Sequence, residues 1–172
     1  MKKLYLVFLM VLMLFSCGKN KETDEKELVQ DNIFKNIDVE KLAIRIDMKA
    51  EEYDIKINGF KDLTMDNKAY FHSNLNGTEE ESIMISYENL TPTGIFGKIN
   101  MVNEENLEVV EKIAVVIIRA SDTDITNDAA VNLYRQLLEK ISDQKLTASV
   151  IYSNNLTYVI EIKEDGMVFY VK

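Results

Sequence analysis

Few side chains in this chain can do chemistry. Its 172 residues include one histidine, one cysteine and no tryptophan, beside 29 Asp and Glu. Any Ser-His-Asp or Cys-His relay would have to run through His72. Ser73 adjoins it, but neighbours on a strand point to opposite faces, and no Gly-x-Ser-x-Gly turn is present. One imidazole and one thiol are a poor ligand set for zinc. Oxygen ligands are plentiful, and the run Ser121-Asp122-Thr123-Asp124-Ile125-Thr126-Asn127-Asp128 invites a test for calcium. Aligned as an EF-hand loop from Asp122, it has Asn127 where the turn needs glycine and Leu133 where a bidentate glutamate is needed. The run fits better as a connection in which Thr126 or Asn127 caps a helix, with Asp128 in its first turn. Glu79-Glu80-Glu81 follows the turn signal Asn76-Gly77 and reads as a solvated hairpin tip. Gly94-Ile95-Phe96-Gly97 has the spacing of neither a phosphate loop nor a dinucleotide fingerprint. No metal or cofactor is expected. Paired carboxylates could serve a hydrolase, but nothing in the sequence selects a pair.

Cys17 has a different context. Lys2 and Lys3 precede an unbroken apolar run from Leu4 to Phe15. As a helix that run spans roughly 18 Å, well short of a ~30 Å hydrocarbon core, so it reads as a secretion signal. The segment Leu14-Phe15-Ser16-Cys17 resembles the lipobox of bacterial lipoproteins, with an aliphatic residue three before the cysteine and a small one immediately before it. Phe15 is bulkier than the usual middle residue. The resemblance implies cleavage before Cys17 and attachment of diacylglycerol to its thiol. One acyl chain anchors weakly, and two or three anchor stably. Gly18 stands where Asp would, by resemblance to Gram-negative sorting, mark retention in the inner membrane.

These features divide the chain into a signal (residues 1–16), the lipidated cysteine with a polar tether (17–31) and a single domain (32–172). The tether reads GKNKETDEKELVQD after the cysteine, too polar to pack. The net charge of −9 becomes more negative once Lys2 and Lys3 leave with the signal, which argues against nucleic acid as a partner.

Within the domain, Leu42, Ile44, Ile46 and Met48 alternate with Ala43, Arg45, Asp47 and Lys49, which favours a strand over a helix. Tyr53, Ile55 and Ile57 extend the alternation to Asn58-Gly59. Further strands are expected over Ala69–Leu75, Ser82–Tyr87 and Gly94–Met101, with Pro92 in a connector. Asn103 can cap a helix that carries Glu104 and Glu105 in its first turn and continues from Leu107 to Ile118; a strand over Ala114–Arg119 is the competitor. Ala130, Val131, Tyr134, Leu137, Leu138 and Ile141 form one helical stripe. The chain closes with Leu146–Tyr152, Leu156–Lys163 and Met167–Val171, the last two joined by the hairpin signal Asp165-Gly166.

The expected fold class is α+β: an antiparallel sheet packed against a helix pair, ending in a three-stranded meander. The element order is similar to that of the PsbP-like fold, which includes some bacterial lipoproteins. With no shared motif, that likeness implies no functional residue. In the last strand Phe169 shares a face with Met167 and Val171, so Tyr170 and Val168 point the other way. If helices cover one face, Tyr170 marks the exposed aromatic one and is the candidate binding residue. The expected protein is a lipid-anchored, extracytoplasmic binding or interaction protein of the bacterial cell envelope. Its partners would be the membrane, through lipid on Cys17, and an envelope protein, a glycan or a small apolar ligand. The alternatives are a carboxylate-dependent hydrolase of envelope polymers and an envelope assembly accessory.

Overall fold

Asp38 starts the first helix. In the computed structural model, which describes residues 33–100 and 102–172, the Asp38 carboxylate accepts a hydrogen bond from Lys41 N at 2.8 Å. That contact satisfies one of the orphan donors of helix α1, Val39–Glu51, which follows a short 3-10 turn at Ile33–Asn36. The strand expected over Leu42–Met48 is therefore a helix. Val39, Leu42, Ala43, Ile46 and Ala50 face inward, whereas Ile44 and Met48 are 60% and 63% exposed. The alternation that suggested a strand mixes inward and solvent-facing residues of one helix. Tyr53–Ile57 forms no strand either; it contributes one isolated bridge, Ile57 to Leu75. Cys17, the apolar run and the tether lie outside the described residues.

Four strands follow: β1 Lys61–Met65, β2 Lys68–Asn74, β3 Glu81–Glu88 and β4 Thr91–Asn100. Tight turns join them. Asp66 and Asn67 (φ 50° and 61°) and Asn89 and Leu90 (φ 49° and 65°) are left-handed, as two-residue hairpins with the sheet's twist require, and Asn76 and Gly77 (φ 53° and 76°) are left-handed within the longer β2–β3 connection. Pro92 is not in the connector. It pairs with Tyr87 as the second residue of β4, beside an irregularity in the register where the ladder is already broken.

Helix α2 spans Leu107–Ser121, so the stretch Ile113–Ile118 is helical. Asn103 does not cap it. The Asn103 side chain accepts from Glu105 N and Asn106 N, making a turn before the helix, and the first-turn acid is Glu108. Helix α3, Asn127–Leu138, is capped by Thr126, whose hydroxyl accepts from Ala129 N at 3.3 Å. The chain ends with β5 Thr147–Ile151, β6 Thr157–Lys163 and β7 Gly166–Val171.

The result is a mixed α+β domain with one seven-stranded antiparallel sheet, ordered β1-β2-β3-β4-β7-β6-β5. The carboxy-terminal strands enter through β7, which pairs with β4 and so closes one sheet from two distant parts of the chain. One face supplies Ile83, Ile85, Ile95, Ile99, Tyr158, Ile160, Met167, Phe169 and Val171 to the core, all 2% exposed or less. The helices fill in above them. At Gly97 an added Cβ would stand 2.7 Å from Ile117 Cδ1, so glycine is what lets α2 approach β4 this closely. Tyr134 of α3 meets Phe169 edge-on at 6.5 Å.

Candidate functional site

Because strand side chains alternate, the residues between the core positions share the other face of the sheet. The register assigns to it Lys61 and Leu63 from β1, Tyr70 and His72 from β2, and Met84 and Ser86 from β3. It adds Phe96 and Lys98 from β4, Val168 and Tyr170 from β7, and Val159 and Glu161 from β6. Tyr170, the residue singled out from sequence, lies here directly opposite Phe96, and their rings stack at 5.6 Å. Tyr70 meets the far edge of Phe96 at 6.4 Å. The rings form a row across four strands, half-buried and open to solvent on top.

Small residues make the row possible. Tyr70 and Phe96 sit on strands separated by β3 and lean toward each other over Ser86 and Gly94. A Cβ on Gly94 would stand 3.0 Å from Val171 O and 3.3 Å from Ser86 Oγ, and would touch Phe96 Cε2 at 3.4 Å, so glycine keeps the strand uncrowded beside the ring. Ser86 Oγ is tied to Thr93 Oγ1 at 2.8 Å and adds no bulk. At one end of the row the Lys172 ammonium lies 5.9 Å from the Tyr170 ring centre, a cation–π contact.

Charge on this face opposes the rest of the chain. Lys61, Lys68, Lys98, Lys163 and Lys172 point to it from the strands and their ends, against Glu88 and Glu161. Glu161 is engaged by Lys163 at 3.6 Å. Over the whole sequence acids outnumber cations, 29 to 20. Sequence reasoning found Tyr170 but missed Tyr70, Phe96 and the lysines. They belong to different hairpins, and only the β4–β7 register brings them together.

His72 also stands on this face, half-buried between β1 and β3, and burial pushes its imidazole below the ordinary histidine range. Ser73 is buried on the opposite face and donates to Asn74 O, so the two form no relay. Asp122 serves the fold. Its carboxylate accepts from Asp124 N at 3.0 Å and from Asn154 Nδ2 at 2.7 Å. Asn154 also donates to the buried Tyr158 hydroxyl at 3.0 Å, which in turn meets Ser121 Oγ at 3.0 Å. This network ties the α2–α3 connection to β6. Among the described residues no group of three His, Cys, Asp or Glu side chains is placed to hold a metal ion. Glu79 and Glu80 are exposed at the hairpin, and Glu81 accepts from Asn76 Nδ2 at 2.8 Å.

One groove of about 340 Å³ lies on the helical side between α1 and the Phe60–Phe71 stack, and Glu40 and Asp47 are on its wall. The two acids stand seven residues, about two turns, apart on one helix. A second network braces the end of α1. Arg119 donates to Glu52 and, at 2.8 Å, to the Tyr53 hydroxyl, and Tyr53 donates to Asn127.

Compared with family models, with curated proteins and with solved structures, the chain matches none. The similarity of element order to the PsbP-like fold thus has no matching solved structure beside it. No helix among the described residues is long and apolar enough to cross a membrane.

Proposed function

We propose that this chain is a lipid-anchored, extracytoplasmic binding protein of the bacterial cell envelope that acts by binding, not by catalysis. It is held to the membrane through Cys17 and meets its partner at the sheet face that carries Tyr170. In this reading the helical layer covers one face of the sheet, and the closing meander brings Tyr170 to the other. The row Tyr70–Phe96–Tyr170 is the observation that carries the proposal. Aromatic surface left open on a sheet face is costly to hydrate and useful for recognition. The anchor rests on the apolar run and on Leu14-Phe15-Ser16-Cys17.

Two measurements test the two halves. Cys17→Ala, expressed in the native host, is expected to keep its signal uncleaved and to take up no labelled fatty acid; unchanged processing and labelling would remove the anchor. The purified Cys17→Ala chain, added to isolated envelopes, is expected to bind at least ten-fold more weakly when Tyr170→Ala is also present. Equal binding would remove the face.

A further inference from the structure

We infer that the Tyr70–Phe96–Tyr170 face binds an acidic polysaccharide, with sugar rings laid on the aromatic row and their carboxylates met by Lys98, Lys172 and the flanking lysines. The inference rests on reading this face as the binding surface and names the ligand class it takes.

Two independent features of the face select such a ligand. The first is shape. The rings run in steps of 6.4 and 5.6 Å across four strands, Tyr70 edge-on to Phe96 and Phe96 stacked with Tyr170, and form a shallow row instead of a pocket. The C–H faces of pyranose rings are weakly apolar and settle on flat aromatic surface, while their hydroxyls stay in water. Tyr70 and Tyr170 suit this because each offers an apolar ring and a polar tip.

The second feature is charge. Lys98 follows Phe96 at the next position on the same face, and Lys172 flanks Tyr170, so cations stand on both sides of the stacked pair. Lysines concentrated on one face of an acidic chain steer an anionic polymer there and turn its other faces away. Two other anionic partners fit less well. Single-stranded nucleic acid would also stack, but it is held where a cationic groove tracks its backbone, and this face is shallow with Glu88 and Glu161 among its lysines. An anionic bilayer favours aromatic side chains that project into it, whereas these rings are half-buried against the sheet.

The experiment is affinity electrophoresis of the full chain in detergent through gels containing polygalacturonate or the neutral polymer dextran. The expected result is strong retardation by polygalacturonate, weak retardation by dextran, and loss of the former as salt rises and shortens the ~10 Å screening length found at 0.1 M. Phe96→Ala should weaken polygalacturonate binding at least ten-fold. Lys98→Glu with Lys172→Glu, which leaves the aromatic row intact, should do the same while dextran binding stays unchanged. Equal retardation of wild type and the lysine variant by polygalacturonate, each measured against its own mobility in a polymer-free gel, would overturn the inference. So would binding that appears only with phosphatidylglycerol vesicles or with an oligo(dT) strand. If the face variants lose isolated envelopes but polygalacturonate is never bound, the ligand class falls and the binding face stands. If envelope binding is indifferent to the face, both fall.

Discussion

The two faces of the sheet come from the same strands and differ in nearly everything else. One is apolar and packed under the helices; the other carries an open aromatic row, polar residues and lysines. In β7 the difference falls between neighbours, because Phe169 is fully buried while Tyr170 is half-open to solvent. The comparison separates the residues that hold the domain together from those free to recognise a partner. It also says where a substitution should cost stability and where it should cost binding.

The largest expected effect is on the buried side. Phe169→Ala removes a fully buried ring packed on Tyr134 and Tyr158 and should cost about 3–5 kcal/mol, read by urea denaturation. Tyr170→Ala, one residue along, should cost under about 1 kcal/mol. If the two costs are equal, the division between faces is wrong.

Gly97→Val comes next. Its Cβ would already crowd Ile117 and Ile113, and overpacking of this kind costs about 1–3 kcal/mol. Gly94, on the outer face, has the Phe96 ring and Val171 O as its neighbours. Gly94→Ala would bring its methyl 3.0 Å from Val171 O and 3.3 Å from Ser86 Oγ, and is expected to lower the melting temperature less than Gly97→Val, whose Cβ stands 2.7 Å from Ile117 Cδ1.

Tyr158→Phe keeps the buried ring and removes the hydroxyl shared by Ser121 and Asn154. The loss should be about 1 kcal/mol in the same denaturation assay.

The mildest effect appears only in alkali. Burial, with Glu111 adding to it, pushes the Tyr134 phenol up to about 12 from 10.0. A raised folded-state value means that the stabilisation is whole below pH 10 and is lost as pH climbs from 10 through about 12. Tyr134→Phe should therefore flatten the alkaline limb of a melting-temperature profile. An unchanged limb would mean that Tyr134 ionises freely in the fold.

The extent to which the sequence foretold this molecule follows from how each element meets its neighbours. The strands of the carboxy-terminal half were legible because Met167, Phe169 and Val171 alternate cleanly and Asp165-Gly166 turns the chain. α3 was legible as a stripe, although Leu133 is buried in it and Leu138 is 39% exposed. α1 was hidden because its solvent side carries Ile44 and Met48, which gave a helix the look of a strand. β1 left almost no signal, since Leu63 is its one aliphatic residue turned even partly from water on this edge strand. Tyr170 could be found from parity alone. Phe96 and Tyr70 could not, because their place beside it depends on the pairing of β4 with β7, a long-range choice that no local pattern encodes.

The central claim is that the lysine-bearing aromatic face, and not the helical one, meets the envelope. Acetylation footprinting of the Cys17→Ala chain, free and bound to isolated envelopes, tests it most directly. Lys98 and Lys172 should lose reactivity on binding, while Lys41 on α1, with 73% of its side chain exposed, should keep it. Protection of Lys41 with Lys98 and Lys172 unchanged would contradict the account.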